Sequence, residues 1–212
     1  MLNRANGRVP IFESNEDFEA FVRILPEAVA RTGTELFAFC VMSNHWHLVV
    51  RPHEDGELSR FAGWLTLTHT QRWHAHRRNS GTGHIYQGRF KSFPVQDEEH
   101  FLTVCRYVER NAVRGNLVKR AEDWRWGSLW FWNHNSADLQ LSPWPIRRSA
   151  GWIDHVNAPQ TDAELAALRR CVNRGSPFGE ENWSNQIVKQ LGLEKTLTPR
   201  GRPKREEPKP EA

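Results

Sequence analysis

The sequence predicts an α+β protein built on an antiparallel sheet. Two β-rich runs, Glu35 to Val41 and His45 to Arg51, follow each other closely, and the turn candidate Met42-Ser43-Asn44 separates them. Segments with apolar residues at helical spacing lie before and after this pair of strands. A hairpin flanked by helices is typical of an antiparallel sheet with helices packed on one face. With 212 residues, the chain has room for one well-buried domain and an appendage.

Three helices are expected around the hairpin. The first spans Glu13 to Gly33, because Ser14 with Asp17 resembles a capping box and Gly33 is a typical helix end. The second spans Leu58 to Arg78 and ends at an Asn-Ser-Gly stretch. The third runs from Asp97 to about Asn111, with acidic residues in its first turn.

Beyond the hairpin, Ile85 to Val95 is expected to form a further strand, which completes a ferredoxin-like arrangement. After Trp132 the pattern weakens and only Asp162 to Val172 is typical of a helix. The Pro- and charge-rich stretch from Thr198 is expected to be disordered. We therefore divide the chain into a main domain (1–132), a C-terminal helical extension (133–197) and a basic, Pro-rich tail (198–212).

Basic residues are concentrated in the middle of the chain. Overall there are 29 Lys and Arg against 25 Asp and Glu, a mild excess. From Leu58 to Gln96, however, there is no acidic residue, while this window holds five arginines, a lysine and four histidines. Such a window suits a polyanionic partner, and a solvated basic face is the alternative.

The cysteines and the hydropathy exclude several classes of protein. Cys40, Cys105 and Cys171 are odd in number, widely spaced and surrounded by apolar residues, which favours reduced core thiols over disulfides or a zinc site. A cytoplasmic location follows. No apolar run approaches the roughly 18 to 20 residues of a membrane span, so we expect no membrane partner.

Two histidines on the second strand are candidate metal ligands. Side chains alternate along a strand, so His45 and His47 share one face, about 6.6 Å apart along the strand, and Trp46 points to the other. Imidazoles in this arrangement can converge on one ion. His74 and His76 have the same spacing on a helix, where they diverge by about 200°. Paired histidines can also be polar surface or core groups, and the pattern alone leaves this open.

Tyr107 and Asn111 supply complementary chemistry on the third predicted helix. They are four residues apart and therefore lie on the same flank of a helix, next to its buried stripe. An amide oxygen can ligate a hard cation, and a phenolic oxygen can act as a nucleophile. A half-buried tyrosine with a bonded hydroxyl is the alternative.

Three blocks of the sequence, VMSNHWHLVVRP, YQGRFKS and RYVERNAVRGNLV, resemble in order and spacing the signatures of the REP-associated tyrosine transposases, within the HUH single-tyrosine transposase superfamily. The resemblance spans about Leu2 to Trp130, and the GRPK near the end is similar to the tail of the family. It implies a ferredoxin-like HUH domain that cleaves and rejoins single-stranded DNA beside hairpins. It further implies His45, His47 and Asn111 as ligands of a divalent cation and Tyr107 as the nucleophile that forms a 5′-phosphotyrosine link.

Mixed imidazole and amide ligands suit Mg²⁺ or Mn²⁺, although imidazole also binds zinc. The expected partner is single-stranded or hairpin DNA, bound by a monomer or a homodimer. Arg89 and Lys91 are the first candidates for phosphate contact. Further candidates are the basic residues Arg72, Arg77, Arg78 and Arg114.

The sequence leaves two alternatives to the transposase hypothesis. A protein of the same fold that has lost catalysis would bind structured nucleic acid through its basic residues and tryptophans alone. A zinc-type hydrolase is disfavoured, because no glutamate beside the histidine pair can act as a general base.

Overall fold

A computed structural model of the chain describes residues 1–78, 83–96, 99–136 and 139–198. A three-stranded antiparallel sheet lies at its centre, with β3 between β1 and β2. Its strands are β1 (Leu2–Arg4), β2 (Glu35–Met42) and β3 (His45–Arg51). The hairpin of β2 and β3 forms as the sequence predicts, with the turn at Ser43 and Asn44.

Helices account for most of the remaining described chain. The helices are α1 (Asn15–Thr32), α2 (Glu57–Arg77), α3 (Glu99–Glu109), α4 (Asn111–Arg114), α5 (Ser128–Asn133), α6 (Trp152–Asn157), α7 (Asp162–Arg174) and α8 (Glu181–Leu191).

Local signals set the ends of α1. The Ser14 side chain accepts a hydrogen bond from the Asp17 backbone N–H, and the Asp17 carboxylate accepts one from the Ser14 N–H, so the predicted capping box is present. Gly33 ends the helix in the left-handed conformation, at φ 79°. The helix continues through Pro26 as an α-helix.

The two faces of the sheet bury different sets of residues. Trp46 and Leu48 of β3 lie in a core with α1 and α2. Val49, together with Cys40 of β2, lies in a second core with α3 and the C-terminal helices. Because side chains alternate along β3, His45 and His47 share the second face. The α+β class with an antiparallel sheet is confirmed, and helices cover both of its faces rather than the single face expected.

The segment 85–95 is not a strand in the described structure. Its backbone pairs with the N-terminal segment in isolated bridges, of Tyr86 with Ala5 and of Lys91 with Leu2. At Lys91 both backbone groups bond to Leu2, at 2.8 Å each. The predicted fourth strand is wrong because the pairing is interrupted between these bridges, and the segment forms an irregular border along β1.

The C-terminal extension packs on α3. Trp152 of α6 donates a 2.7 Å hydrogen bond from Nε1 to the buried Glu109 carboxylate, which also accepts one from the Ser128 hydroxyl at 2.8 Å. The helix predicted from Asp162 forms and reaches Arg174, whereas α6 and α8 were not predicted. Asp97, the expected start of the third helix, and residues from 199 onward lie outside the described residues.

Candidate active site

The two histidines of β3 face α3 and lie close to Tyr107. The ring centroids of His45 and His47 are 5.0 Å apart, and the rings of His47 and Tyr107 are 5.9 Å apart. His47 and Tyr107 are 6% and 8% exposed. The pairing and the strand face expected for the histidines therefore occur, and the structure brings the tyrosine to the same place from a distant segment.

Trp46 points to the opposite face, as the alternation predicts, and is fully buried. Its indole N–H donates to the Tyr86 hydroxyl at 2.9 Å, and this hydroxyl lies 2.8 Å from His69 Nδ1. The tautomer of His69 decides whether its Nδ1 accepts the Tyr86 proton or donates to the Tyr86 oxygen. Burial raises the pKa of the Tyr86 phenol far above its ordinary value. Tyr86 is thus committed to a core hydrogen-bond chain on the face away from the histidines.

Tyr107 differs from Tyr86 in its hydroxyl. Within the described part of the chain, the Tyr107 hydroxyl makes no hydrogen bond. Unlike the enclosed polar atoms that lack a partner, it retains some accessible surface. Its ring is held from above by the Arg114 guanidinium, whose central carbon lies 4.0 Å from the ring centroid. Arg114 Nη2 also donates to the Tyr107 backbone oxygen at 3.3 Å. The ring is therefore positioned while the hydroxyl stays available.

Asn111 is connected to Tyr107 through Arg114, which contacts both residues. The sequence predicts it on the same helix as Tyr107; in the structure α3 ends at Glu109, and Asn111 is the first residue of α4. Asn111 is 6% exposed, and its Oδ1 accepts a 2.7 Å hydrogen bond from Arg114 Nη2. Its Nδ2 is enclosed and has no hydrogen-bond partner among the described residues.

Both site histidines are neutral at neutral pH. Burial, followed by the nearby charges of Arg4 and Arg114, lowers the pKa of His45 to about 4. The pKa of His47 lies well below its ordinary value, chiefly because of burial and then because of the neighbouring His45. Neutral imidazole is the form that binds metal ions.

The donor set fits a divalent cation in part. Two imidazoles on one ion at ~2.0–2.1 Å place their ring centroids about 5 Å apart, which agrees with the 5.0 Å observed between His45 and His47. Among the described residues, no group of three or more His, Cys, Asp and Glu side chains converges on a common point. Asn111 Oδ1, the third ligand expected from the sequence, accepts a hydrogen bond from Arg114 in this structure.

Apart from Arg114, which contacts Tyr107 and Asn111, the predicted DNA-contact residues fall into two groups. Lys91 is exposed. Leu2 of β1 pairs with His47 on one side and with Lys91 on the other, so the three residues form one row across the sheet. Arg89, two residues earlier, is also exposed. The pairing therefore places Lys91 in line with His47 across the sheet.

The second group lies on the other side of the sheet, on α2. Arg72 forms a bidentate pair with Glu27 at 2.8 and 2.7 Å. Arg77 binds both carboxylate oxygens of Asp17 at 2.8 Å, and Arg78 is exposed at the end of the helix. The structure does not bring these residues to the histidines, and their part in DNA binding stays a prediction.

Arg4 is a site residue that the sequence reasoning missed. It lies directly opposite His45 in the pairing of β1 with β3, so the two side chains share a face. Arg4 Nε is enclosed and has no hydrogen-bond partner among the described residues. Recognising it from sequence requires the register between β1 and β3, which no local pattern supplies.

The α+β domain thus brings the two histidines of β3 and Tyr107 of α3 together on one side of the sheet. The family model described as "Transposase IS200 like" matches residues 1–111, just over half of the chain. The chain belongs to this family.

Comparison with curated proteins gives no match. Among solved structures, the chain is similar to one titled "Structure of the REP associates tyrosine transposase bound to a REP hairpin". The two share 18% sequence identity over 70% of this chain and 82% of that chain, with a TM-score of 0.47. No helix in the described ranges is long and apolar enough to cross a membrane.

Proposed function

We propose that this transposase-family protein cleaves and rejoins single-stranded DNA near hairpins, with Tyr107 as the nucleophile. The observation that carries the proposal is the contrast between the two tyrosines of the chain. Tyr86 is committed to Trp46 and His69. The Tyr107 hydroxyl has no hydrogen-bond partner in the described structure, and the Tyr107 ring lies beside His47.

The proposed reaction exchanges one phosphodiester for another. The Tyr107 phenolic oxygen forms a bond to phosphorus as the bond from phosphorus to the 3′ oxygen breaks. The phenolic proton passes to solvent, and the departing 3′ oxygen takes up a proton. The products are a 5′-phosphotyrosine link and a free 3′-hydroxyl, so a 3′-hydroxyl can later reverse the step without ATP.

Mg²⁺ or Mn²⁺ is the proposed cofactor, held by His45, His47 and Asn111. When bound, the ion would polarise the phosphate and neutralise the charge that develops on it. The chain contributes two imidazoles kept neutral by burial. It also contributes a guanidinium that fixes the Tyr107 ring, and exposed basic groups at Arg89 and Lys91 that we infer guide the DNA backbone. The three cysteines are free and buried, which suits the reducing cytoplasm that we propose as the location.

The test is formation of a protein–DNA adduct that survives SDS. Labelled stem-loop oligonucleotides with single-stranded flanks are incubated with the full chain and Mg²⁺ or Mn²⁺, and the products are separated on denaturing gels. We expect an adduct that EDTA prevents and that Tyr107→Phe abolishes. An adduct of undiminished yield in Tyr107→Phe contradicts the proposal.

One observation favours a second candidate, a DNA-binding protein of the same fold without catalysis. Asn111 Oδ1 is bonded to Arg114 rather than open toward the histidines, so the ligand set is not assembled as it stands. This candidate predicts salt-sensitive hairpin binding, no adduct with any divalent metal, and unchanged binding in His45→Ala.

A further inference from the structure

Two arginines beside Tyr107 tie the tyrosine helix to the C-terminal extension. Arg106 Nη2 donates to two backbone carbonyls at the end of α6, at 2.8 and 3.1 Å. Arg110 Nη1 donates to the two carbonyls before them. The four acceptors are the consecutive backbone oxygens of Val156, Asn157, Ala158 and Pro159. Carbonyls at a helix end lack partners within the helix, so they are open to donors from a neighbouring element.

The end of α6 is itself held in place. Asn157 Nδ2 donates to Glu122 Oε2 at 2.7 Å, and Asn157 Oδ1 accepts a 2.9 Å bond from the Ala121 backbone N–H. Glu164 of α7 adds an ion pair, with its Oε1 3.7 Å from Arg106 Nη1. Because main-chain oxygens cannot turn away by a change of rotamer, the two arginines bind a rigid partner.

The arginines and the site residues occupy neighbouring rows of one helical surface. Arg106 and Arg110 are four residues apart, and Tyr107 and Asn111 are the residues that follow each of them. Arg110 comes directly after α3, keeps right-handed dihedral angles (φ −80°, ψ −1°) and donates its N–H to the Arg106 oxygen at 2.9 Å. Successive residues of a helix are about 100° apart, so the attachment of the arginine row to α6 sets the direction of Tyr107.

The Tyr107 hydroxyl depends on this attachment, because no hydrogen bond within the described chain holds it. A side-chain tip about 6 Å from a helix axis moves by about 1 Å when the helix turns by about 10°. A misplacement of about 1 Å at a reacting group can cost about a hundredfold in rate. The rotation of α3 therefore decides whether the hydroxyl lies where it can react.

We propose that Arg106 and Arg110 are positioning residues for Tyr107 and act on it through α3. By binding the end of α6, they hold the helix in the rotation that presents Tyr107 to His47. The C-terminal extension, which lies beyond the residues 1–111 matched by the family model, thereby sets the geometry of the candidate active site. This inference rests on the proposed function, because it takes Tyr107 as the nucleophile.

The position of Tyr107 can be measured directly, because the chain has only two tyrosines. The full chain is labelled with 3-fluorotyrosine and studied by ¹⁹F NMR, and Tyr107→Phe assigns the signals. Tyr86, bonded in the core on the other face of the sheet, is the internal reference. We expect Arg106→Gln and Arg110→Gln to shift or broaden the Tyr107 signal and to leave the Tyr86 signal unchanged. Arg110→Lys keeps a charged donor for the carbonyls and should return the Tyr107 signal toward that of the wild type.

The second readout is the rate constant of adduct formation at saturating stem-loop DNA with Mg²⁺ or Mn²⁺, measured below the thermal midpoint of every variant. For Arg106→Gln and Arg110→Gln we expect it to fall about tenfold to a hundredfold. The Kd for DNA should stay that of the wild type, because a misplaced nucleophile impairs the chemical step and not binding. The matched control is Arg170→Gln, since Arg170 is an exposed arginine of α7; it should equal the wild type in both measurements.

Three results would overturn the inference. They are a wild-type Tyr107 signal in the folded glutamine variants, a wild-type rate constant in these variants, and an equal disturbance of both tyrosine signals, which means a general loosening of the fold. If Arg106→Gln does not fold, the test is made on Arg110→Gln, whose arginine is only half-buried.

The two proposals can fail separately, because the NMR measurement needs neither DNA nor metal. If the wild type forms no adduct, the proposed function is wrong, and the Tyr107 signal still decides whether the arginines position this residue. If the adduct requires Tyr107 but its rate of formation does not depend on Arg106 or Arg110, the positioning role alone is wrong.

Discussion

The two tyrosines of this chain should respond in opposite ways to the same substitution. Tyr86→Phe and Tyr107→Phe each remove one hydroxyl and keep the ring. The Tyr86 hydroxyl joins Trp46 to His69 in the core. The Tyr107 hydroxyl has no hydrogen-bond partner in the described chain. We therefore expect one variant to lose stability and the other to lose chemistry.

The size of the stability effect follows from the contacts. In Tyr86→Phe, the Trp46 indole N–H and the His69 Nδ1 both lose their partner in a fully buried environment. Leaving a buried polar group unsatisfied costs about 1–3 kcal/mol, so with two such groups the free energy of unfolding should fall by about 2–6 kcal/mol. For a chain of this size the thermal midpoint should fall by roughly 4–24 °C. Tyr107→Phe orphans no protein group, and its midpoint should change by about 1 °C or less.

Thermal unfolding followed by circular dichroism measures the thermal midpoint of the wild type and of both variants. The assay with stem-loop DNA measures formation of the protein–DNA adduct. It is run well below the lowest thermal midpoint, so that Tyr86→Phe is folded. We expect adduct from the wild type and from Tyr86→Phe, and none from Tyr107→Phe.

Two results would refute this reasoning. A wild-type midpoint in Tyr86→Phe means that the chain through Trp46 and His69 does not stabilise the core. Loss of the adduct in folded Tyr86→Phe, together with an adduct in Tyr107→Phe, means that the nucleophile has been assigned to the wrong tyrosine.

Three further predictions concern stability and binding. The pKa of His69 is lowered to about 3 by burial, so the unfolded chain binds the proton preferentially below pH 6.5, and His69 should contribute about 2 kcal/mol to the fall in stability from pH 8 to pH 5. Because His45 and His47 also have lowered pKa values, denaturant titrations of His69→Gln should show a fall that is smaller by this amount and not abolished. Trp152→Phe removes a 2.7 Å donor from the buried Glu109 carboxylate, and its unfolding free energy, measured in urea, should be lower by about 1.5–3 kcal/mol. Replacing both Arg89 and Lys91 with Gln should reduce the slope of log affinity for hairpin DNA against log salt by about 1.4–1.8, and an unchanged slope would place the phosphate contacts elsewhere.

Local patterns predicted the parts of the fold that depend on neighbours in sequence. The strand His45–Arg51 occurs at the predicted bounds, and α1 begins and ends beside its predicted cap residues, Ser14 and Gly33. Alternation along β3 correctly separated the histidines from Trp46. These features depend on strand periodicity and on hydrogen bonds within a few residues, which the sequence displays directly.

Segments that depend on distant partners were predicted less well. The run Ile85 to Val95 has the composition of a strand, but its pairing with β1 is reduced to isolated bridges. Arg72 and Arg77 belong to a continuous basic window, yet each is paired with an acidic residue of α1. Charge counted along the chain does not show which charges are neutralised by packing.

The candidate site shows which features the sequence alone predicts and which it does not. Sequence alone determined that His45 and His47 share a strand face, and the resemblance of three motifs to a family implied that Tyr107 and Asn111 join them. Only the tertiary structure decided that Arg114 holds both Tyr107 and Asn111, and that Arg4 lies opposite His45. Arg4 and His45 are far apart in the chain, and only the register between β1 and β3 brings them together. Arg114, Asn111 and Tyr107 are close in sequence, but they lie on either side of the break between α3 and α4, which the helical periodicity did not predict.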